Sequence, residues 1–264
     1  MQLSTICNPI NNIETEFMAG LTSGVIYPVF QPIVNNNKKI LGFEMLIRWM
    51  VNGKEMTAGE FIDDIKSTEA HIKLANFLID AAVKKIIKYN GALFFSVNIT
   101  VLDKIVTEKL YNIISSLKEK YLNNELIKLL VLEFSESLDF YKDSKSVDNI
   151  KTLSQLNVTI ELDDCFSSRS VNFPVRSMKF NGYKLDREVV SAFSKNIYDE
   201  SLIRSLLYFC ALTDSYCTAE GINNYNEMHE LYKIGVRRFQ GFWISKPVLE
   251  NELDSTIRYF GLVK

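Results

Sequence analysis

The sequence predicts an α/β fold: a closed, TIM-like (β/α)8 barrel in which one strand runs antiparallel to the others. Eight β-rich runs alternate with helical patterns, and 264 residues leave room for eight such units. The β-rich runs cover residues 27–34, 40–49, 93–100, 129–135, 158–163, 183–186, 216–219 and 238–244. Apolar residues recur at helical spacing between most of them, in residues 58–89, 101–122, 147–156, 189–212 and 224–234, and we interpret residues 58–89 as two helices.

The connection between the first two runs is too short for the repeating pattern. Only five polar residues, Asn35 to Lys39, separate them, and these cannot hold a crossover helix. The two runs should therefore form an antiparallel hairpin, which reverses one strand of the barrel. We divide the chain into a loosely packed N-terminal extension, residues 1–24, and a single barrel domain, residues 25–264.

Composition narrows the class of protein. The chain is 47% hydrophobic and 23% charged, with a formal net charge of −2, so a basic DNA-binding surface is not expected. No apolar run approaches the ~20 residues that span a bilayer. The four cysteines form no CxxC pair and there are only two histidines, which argues against a zinc site and against a histidine base. We expect a reduced, cytoplasmic protein.

Two adjacent carboxylates, Asp163 and Asp164, end the β-rich run at 158–163. Side by side they repel each other and burial penalises each charge, and a divalent cation would remove both costs. The alternative is a solvated turn in which aspartate caps the next helix.

Polar residues at the ends of other runs favour the cation. Because the carboxyl ends of barrel strands meet at one mouth, these side chains should gather there. Carboxylate and amide oxygens suit Mg²⁺ or Mn²⁺ better than zinc. The candidates outside the Asp163–Asp164 pair are Glu44, Asn98, Glu133, Glu136, Lys184, Glu220 and Gln240.

Eight ordered motifs resemble those of the EAL-type cyclic di-GMP phosphodiesterases, over about residues 25 to 255. They are FQPIV (30–34), GFEMLIRW (42–49), FSVNI (95–99), LEFSES (132–137), LDD (162–164), YKLDR (183–187), AEGI (219–222) and QGFWISKP (240–247). The resemblance implies a barrel with the first strand reversed. It also implies hydrolysis of cyclic di-GMP to the linear dinucleotide pGpG with one or two Mg²⁺ or Mn²⁺ ions.

The resemblance also assigns roles to residues. Lys184 and Glu220 would orient and deprotonate the attacking water, Arg48 would meet a substrate phosphate, and Gln240 would help to hold the site. Lys179 is a rival to Lys184, but Leu185 to Arg187 continue the family pattern. Glu136 would steady a loop next to the metal. The metal ligands would be Glu44, Asn98, Glu133, Asp163 and Asp164. A homodimer and a regulatory protein partner follow from the resemblance alone.

The sequence departs from the family in three places. Met45 replaces a small residue of the signature, and Asn223 stands where an acid is expected. After Asp164 the family's glycine-rich FGTGYSS is CFSSRSV, residues 165–171, without a glycine. Glycine permits positive φ angles at low cost, so this loop should change shape.

Three hypotheses follow. The first is an active metal-dependent phosphodiesterase, which the retained acids favour. The second is a catalytically weak or inactive relative that senses the nucleotide or binds a protein, which Asn223 and the altered loop favour. The third is an unrelated Mg²⁺-dependent barrel enzyme, for which the ordered motifs would be a coincidence.

Overall fold

The computed structural model of the protein describes residues 9–101, 103–135, 144–167 and 178–262. The strands in these ranges are β1 (Ile26–Val34), β2 (Ile40–Val51), β3 (Lys54–Thr57), β4 (Phe94–Ile99), β5 (Leu130–Ser135), β6 (Thr159–Cys165), β7 (Gly182–Leu185), β8 (Tyr216–Ala219) and β9 (Arg238–Phe239). The α-helices are α1 (Pro9–Ser23), α2 (Thr68–Lys88), α3 (Lys104–Tyr121), α4 (Ser144–Ser154), α5 (Arg187–Ala192), α6 (Ile197–Thr213), α7 (Tyr225–Ile234) and α8 (Leu253–Phe260).

Within the described ranges, eight strands close into a barrel. Strand β1 pairs with β2 on one side and with β9 on the other, and it is antiparallel to both. The remaining neighbours, from β2–β4 round to β8–β9, are all parallel. The predicted barrel with a reversed strand is therefore confirmed, and the reversed strand is the first.

Strand β3 lies outside the barrel, as an addition to the edge of β2. It was not predicted, although the sequence carries its signal. Asn52 and Gly53, with φ of 49° and 77°, form the turn between the two strands. Asn-Gly is the pair favoured in tight hairpin turns because both positions need positive φ.

The last barrel strand is shorter than predicted, ending at Phe239 and not at residue 244. Gly241 explains the difference, since a Cβ there would lie 2.2 Å from the Ile222 nitrogen. The Ile222 N–H donates to the Gln240 carbonyl, and the Trp243 N–H donates to the Ile222 carbonyl. The chain therefore leaves the ladder after Phe239 and wraps around Ile222.

The segment after β3 contains one long helix, where two were predicted. Short 3₁₀ turns at Ala58–Glu60 and Ile62–Asp64 precede α2. Helix α2 begins after Ser67, whose side chain accepts a hydrogen bond from the Ala70 N–H. Helix α8, near the end of the chain, was not predicted. No helix in the described residues is both long and apolar enough to cross a bilayer.

Helix α1 packs firmly against the barrel. Its Phe17 is fully buried, with ring centroids 5.7 Å from Trp49 and 6.0 Å from Phe61. The expected loose packing is therefore wrong for this helix, because Phe17 completes an aromatic cluster whose other members come from β2 and the β3–α2 connection. The division of the chain at residue 24 stays a prediction.

Replacing Phe17 by alanine should destabilise the fold. The change leaves a cavity between Trp49 and Phe61, and truncation of a buried phenylalanine costs about 3–5 kcal/mol. The free energy of unfolding from urea titration measures the loss. A loss below about 1 kcal/mol would show that α1 contributes little to the folded barrel.

Candidate active site

Lys184 lies at the centre of an acidic cluster at the mouth of the barrel. Its side chain is 1% exposed. The Nζ atom is 2.6 Å from Glu220 Oε1, 3.0 Å from Glu133 Oε2, 3.2 Å from Asp163 Oδ1 and 3.5 Å from Glu44 Oε1. Acids from separate strands, predicted to meet, therefore do meet, around a single buried cation.

The strand register brings these side chains together. In the parallel ladder Asn98 is opposite Glu133, and Ser135 is opposite Asp163, so successive strands present polar residues at the same end. The register between β6 and β7 shifts between Leu162 and Cys165, and Asp164 there has a φ of 56°. Such an irregularity re-aims side chains at a barrel rim, and here it lies at the two adjacent aspartates.

Amide side chains orient the Glu44 carboxylate. Asn98 donates to Glu44 Oε1 at 3.0 Å, and Gln240 donates to Glu44 Oε2 and to Gln31 Oε1, the latter at 3.1 Å. Burial raises the pKa of Glu44, but the Lys184 charge and these amide donors outweigh it, so the net pKa is lowered. Gln31 was not predicted for the site, although it is a polar residue inside an apolar β-run.

The residues present fit a divalent cation. Ligand atoms of Glu44, Glu133 and Asp163 lie within 4.8 Å of one another, and so do those of Asp163, Asp164 and Glu220. Glu133 Oε1 is buried and has no hydrogen-bond partner in the described parts of the chain. A buried carboxylate oxygen without a partner is costly, and an oxygen-only donor set is the kind that binds Mg²⁺ or Mn²⁺.

Electrostatics also favour a cation. Burial raises the pKa of Glu133, Asp163 and Glu220, and neighbouring carboxylates raise it further, although Lys184 opposes both effects. Burial alone would lower the pKa of Lys184, but the surrounding acids hold it well above its ordinary value. The lysine is therefore firmly charged, and it does not balance the acids around it.

These shifts predict a pH dependence for the metal-free protein. A carboxyl group whose pKa is raised in the folded state stabilises the protein at pH values below its ordinary pKa of about 4.5. This stabilisation is lost as the pH rises through the raised pKa. We therefore expect the melting temperature without metal to fall as the pH rises above about 4.5. Added Mn²⁺ should raise the melting temperature most at the highest pH values, since it binds ionised carboxylates. Thermal unfolding at a series of pH values above about 4.5 measures this fall. A melting temperature of the metal-free protein that rises with pH would contradict the prediction.

A cavity of about 680 Å³ opens above the cluster. The cavity is lined by acids of the cluster and by Asp164, Asn223 and Arg187. Its apolar side includes Ala58, Ile62, Leu74 and Leu78. Arg187 was not proposed for the site, although it directly follows the YKLD segment at 183–186. Arg187 is the first residue of α5, so its place at the cavity is set by the start of this helix.

The other predicted residues lie elsewhere. Arg48 is not among the described cavity-lining residues; its Nη1 donates to the Ile47 carbonyl, and its Nε is 3.6 Å from Glu55 Oε1. Lys179, the rival to Lys184, is exposed. Glu136 lies outside the described residues. The roles assigned to all these residues stay predictions.

The departures from the family pattern are partly visible. Asn223 lines the cavity, and its N–H donates to Glu227 Oε2 at 2.8 Å. Phe166 stands at the first glycine of the expected loop and has a φ of 68°. A phenylalanine in this left-handed conformation is strained, because Cβ crowds the backbone. Residues 168–171 of the predicted loop change lie outside the described residues.

The barrel interior contains a second polar cluster that the sequence analysis missed. Glu161 is buried, accepts a hydrogen bond from the Tyr216 hydroxyl and lies 3.9 Å from Arg238 Nη1. The Arg238 guanidinium lies 3.4 Å from the centre of the Tyr216 ring. Gly182 makes room for that ring, since a Cβ there would lie 2.2 Å from it. The available signal was Glu161 itself, two residues before Asp163 on the same strand face.

Fold and site together define a class of protein: a barrel with a reversed first strand and an acidic mouth whose carboxylates could hold a cation. The chain belongs to the EAL domain family, whose model matches residues 14–247. The resemblance seen in the motifs is thereby confirmed.

Curated relatives are distant and longer. The chain is 23% identical over 258 residues to the probable cyclic di-GMP phosphodiesterase PdeN of Escherichia coli, covering 92% of this chain and 47% of that protein. It is 25% identical over 233 residues to the signaling protein YkoW of Bacillus subtilis, covering 86% of this chain and 29% of YkoW. The chain thus spans less than half the length of these two relatives.

Solved structures show the same fold. An EAL domain protein from Listeria monocytogenes matches with a TM-score of 0.79 and 21% identity, covering 97% of this chain and all of that one. The PaMucR phosphodiesterase in complex with c-di-GMP matches with a TM-score of 0.78 and 19% identity, covering 92% of this chain and 99% of that one.

Proposed function

We propose that this chain hydrolyses one phosphodiester bond of cyclic di-GMP, giving linear pGpG, with Mg²⁺ or Mn²⁺ as cofactor. The observation that carries the proposal is the cluster of buried acids around Lys184 at the floor of the cavity. Membership of the EAL family and the c-di-GMP bound to the PaMucR phosphodiesterase support the choice of substrate.

Each residue has a role that follows from its chemistry. A divalent cation held here would supply an acidified water and would neutralise phosphate charge. Glu220, whose pKa burial raises above its ordinary value, accepts the proton of the attacking water. Lys184 donates to the phosphate oxygens as their negative charge grows. The cation would be held by Glu44, Asn98, Glu133, Asp163 and Asp164.

Product analysis tests the proposal. Incubation with cyclic di-GMP and Mg²⁺ or Mn²⁺, followed by chromatography, should yield pGpG. EDTA should stop the reaction, and restored metal should restart it. If no linear product forms with either metal, the proposal fails, whether or not cyclic di-GMP binds.

A second candidate is a sensor that binds cyclic di-GMP with little or no hydrolysis. Asn223 favours it, because an amide at the cavity wall cannot supply the charge of the expected acid. The strained Phe166 beside Asp164 favours it as well. Binding by calorimetry without linear product would select the sensor. The cytoplasmic location, the homodimer and the regulatory partner stay predictions.

A further inference from the structure

One side of the cavity is an apolar wall, formed by Ala58, Ile62, Leu74 and Leu78. The first two belong to the connection between β3 and α2, and the last two belong to α2 itself. The two leucines are buried residues of the long helix α2. The connection has only short 3₁₀ turns of its own, so its position depends on contacts with other parts of the chain.

Helix α1 supplies the first of these contacts. Glu14 Oε1 accepts hydrogen bonds from the backbone N–H groups of Lys66 at 2.5 Å and Ser67 at 2.7 Å. The two donors lie where the connection joins α2, and they lower the pKa of Glu14. Three residues along α1, Phe17 packs on Phe61 of the same connection. Helix α1 therefore holds the connection through the Glu14 carboxylate and the Phe17 ring.

His71, a buried residue of α2, supplies a second contact. Its Nε2 is 2.8 Å from the Ile65 carbonyl oxygen, and its Nδ1 is 2.8 Å from Thr100 Oγ1. A carbonyl can only accept, so Nε2 carries a proton and donates to Ile65, while Nδ1 pairs with the threonine hydroxyl. Thr100 also lines the cavity, two residues beyond Asn98. The buried imidazole thus ties the connection to the strand end that carries a predicted metal ligand.

We propose that Glu14 and His71 are positioning residues that hold the apolar wall in place and so set the affinity for the organic part of the phosphodiester. The inference rests on the proposed function. The acidic cluster deals with the phosphate and the cation, whereas the flat face of a nucleobase needs an apolar surface at a fixed distance. If the wall had to become ordered when the ligand binds, the conformational entropy lost would weaken binding.

Glu14→Ala tests the inference, with Glu16→Ala as the matched control. Glu16 is exposed on the same helix. We expect Glu14→Ala to raise KM about 5- to 10-fold with kcat within about 2-fold, the pattern of lost uniform binding. Glu14→Gln retains an acceptor oxygen and should recover part of the loss. His71→Leu keeps bulk without either hydrogen bond and should raise KM in the same way. Amide exchange of residues 58–67 should accelerate in Glu14→Ala and not in Glu16→Ala.

The outcomes separate this inference from the proposed function. If Glu14→Ala lowers the melting temperature but leaves KM and the nucleotide Kd unchanged, Glu14 is merely structural and the inference is overturned. If the wild type binds cyclic di-GMP without hydrolysis, the hydrolase proposal fails, and a 5- to 10-fold weaker Kd in Glu14→Ala still supports the inference. A wild type that neither binds nor hydrolyses the nucleotide overturns both.

Discussion

Glu44→Ala is expected to lower kcat/KM for cyclic di-GMP by at least about 100-fold, since loss of a mere outer partner of a metal ligand already costs 10–100-fold. The change removes one carboxylate from the group formed with Glu133 and Asp163. It also removes the carboxylate oxygens that accept hydrogen bonds from the Asn98 and Gln240 amides. Initial rates at several Mn²⁺ concentrations measure the loss, and higher metal should recover part of it.

Glu125→Ala is the control for this experiment, because Glu125 is an exposed glutamate with its side chain 79% accessible. Its rate should equal that of the wild type. Unchanged turnover in Glu44→Ala would rule out the assigned cation site. Unchanged Mn²⁺ affinity with lost turnover would assign Glu44 to substrate handling and would contradict its role as a ligand.

Lys184→Met should abolish turnover and destabilise the metal-free protein. The lysine is the buried partner of Glu133, Asp163 and Glu220 within 3.2 Å. Removing one side of a buried ionic group leaves uncompensated charge and costs about 3–5 kcal/mol. Because a divalent cation can replace the lost positive charge, Mn²⁺ should raise the melting temperature of the variant more than that of the wild type.

Lys179→Met is the matched control, since Lys179 is exposed and was the rival for the same role. It should retain activity and stability. The free energy of unfolding, measured with EDTA and then with Mn²⁺, gives both readouts. If Lys179→Met loses turnover while Lys184→Met retains it, the roles of the two lysines must be exchanged.

Local patterns made much of the fold predictable. Strand and helix periodicities depend on neighbouring residues, so the alternation was visible, and the five residues after Val34 were enough to reverse a strand. Errors came where distant residues intervene. Strand β9 ends early because Gly241 packs on Ile222, and α1 is held by rings of Trp49 and Phe61.

The candidate site was likewise predictable only in part. Polar residues at strand ends are a local signal, and parallel strands carry them to one mouth, so the acids of the cluster were identifiable. Their pairing with Lys184 was not, because distances of 2.6 to 3.5 Å depend on how far each strand is shifted along its neighbour. Arg187 and Glu161 were missed although the sequence carried a signal for each, Arg187 next to the YKLD segment and Glu161 two residues before Asp163.

The sequence by itself determined the barrel, its reversed strand and the acids at the strand ends, since each follows from residue spacing along a few turns or strands. Only the tertiary structure decided that one buried lysine meets these acids and that Glu14 and His71 bind the backbone of the connection between β3 and α2. Those contacts join segments that are remote in the chain, and their geometry is set by packing of the whole barrel.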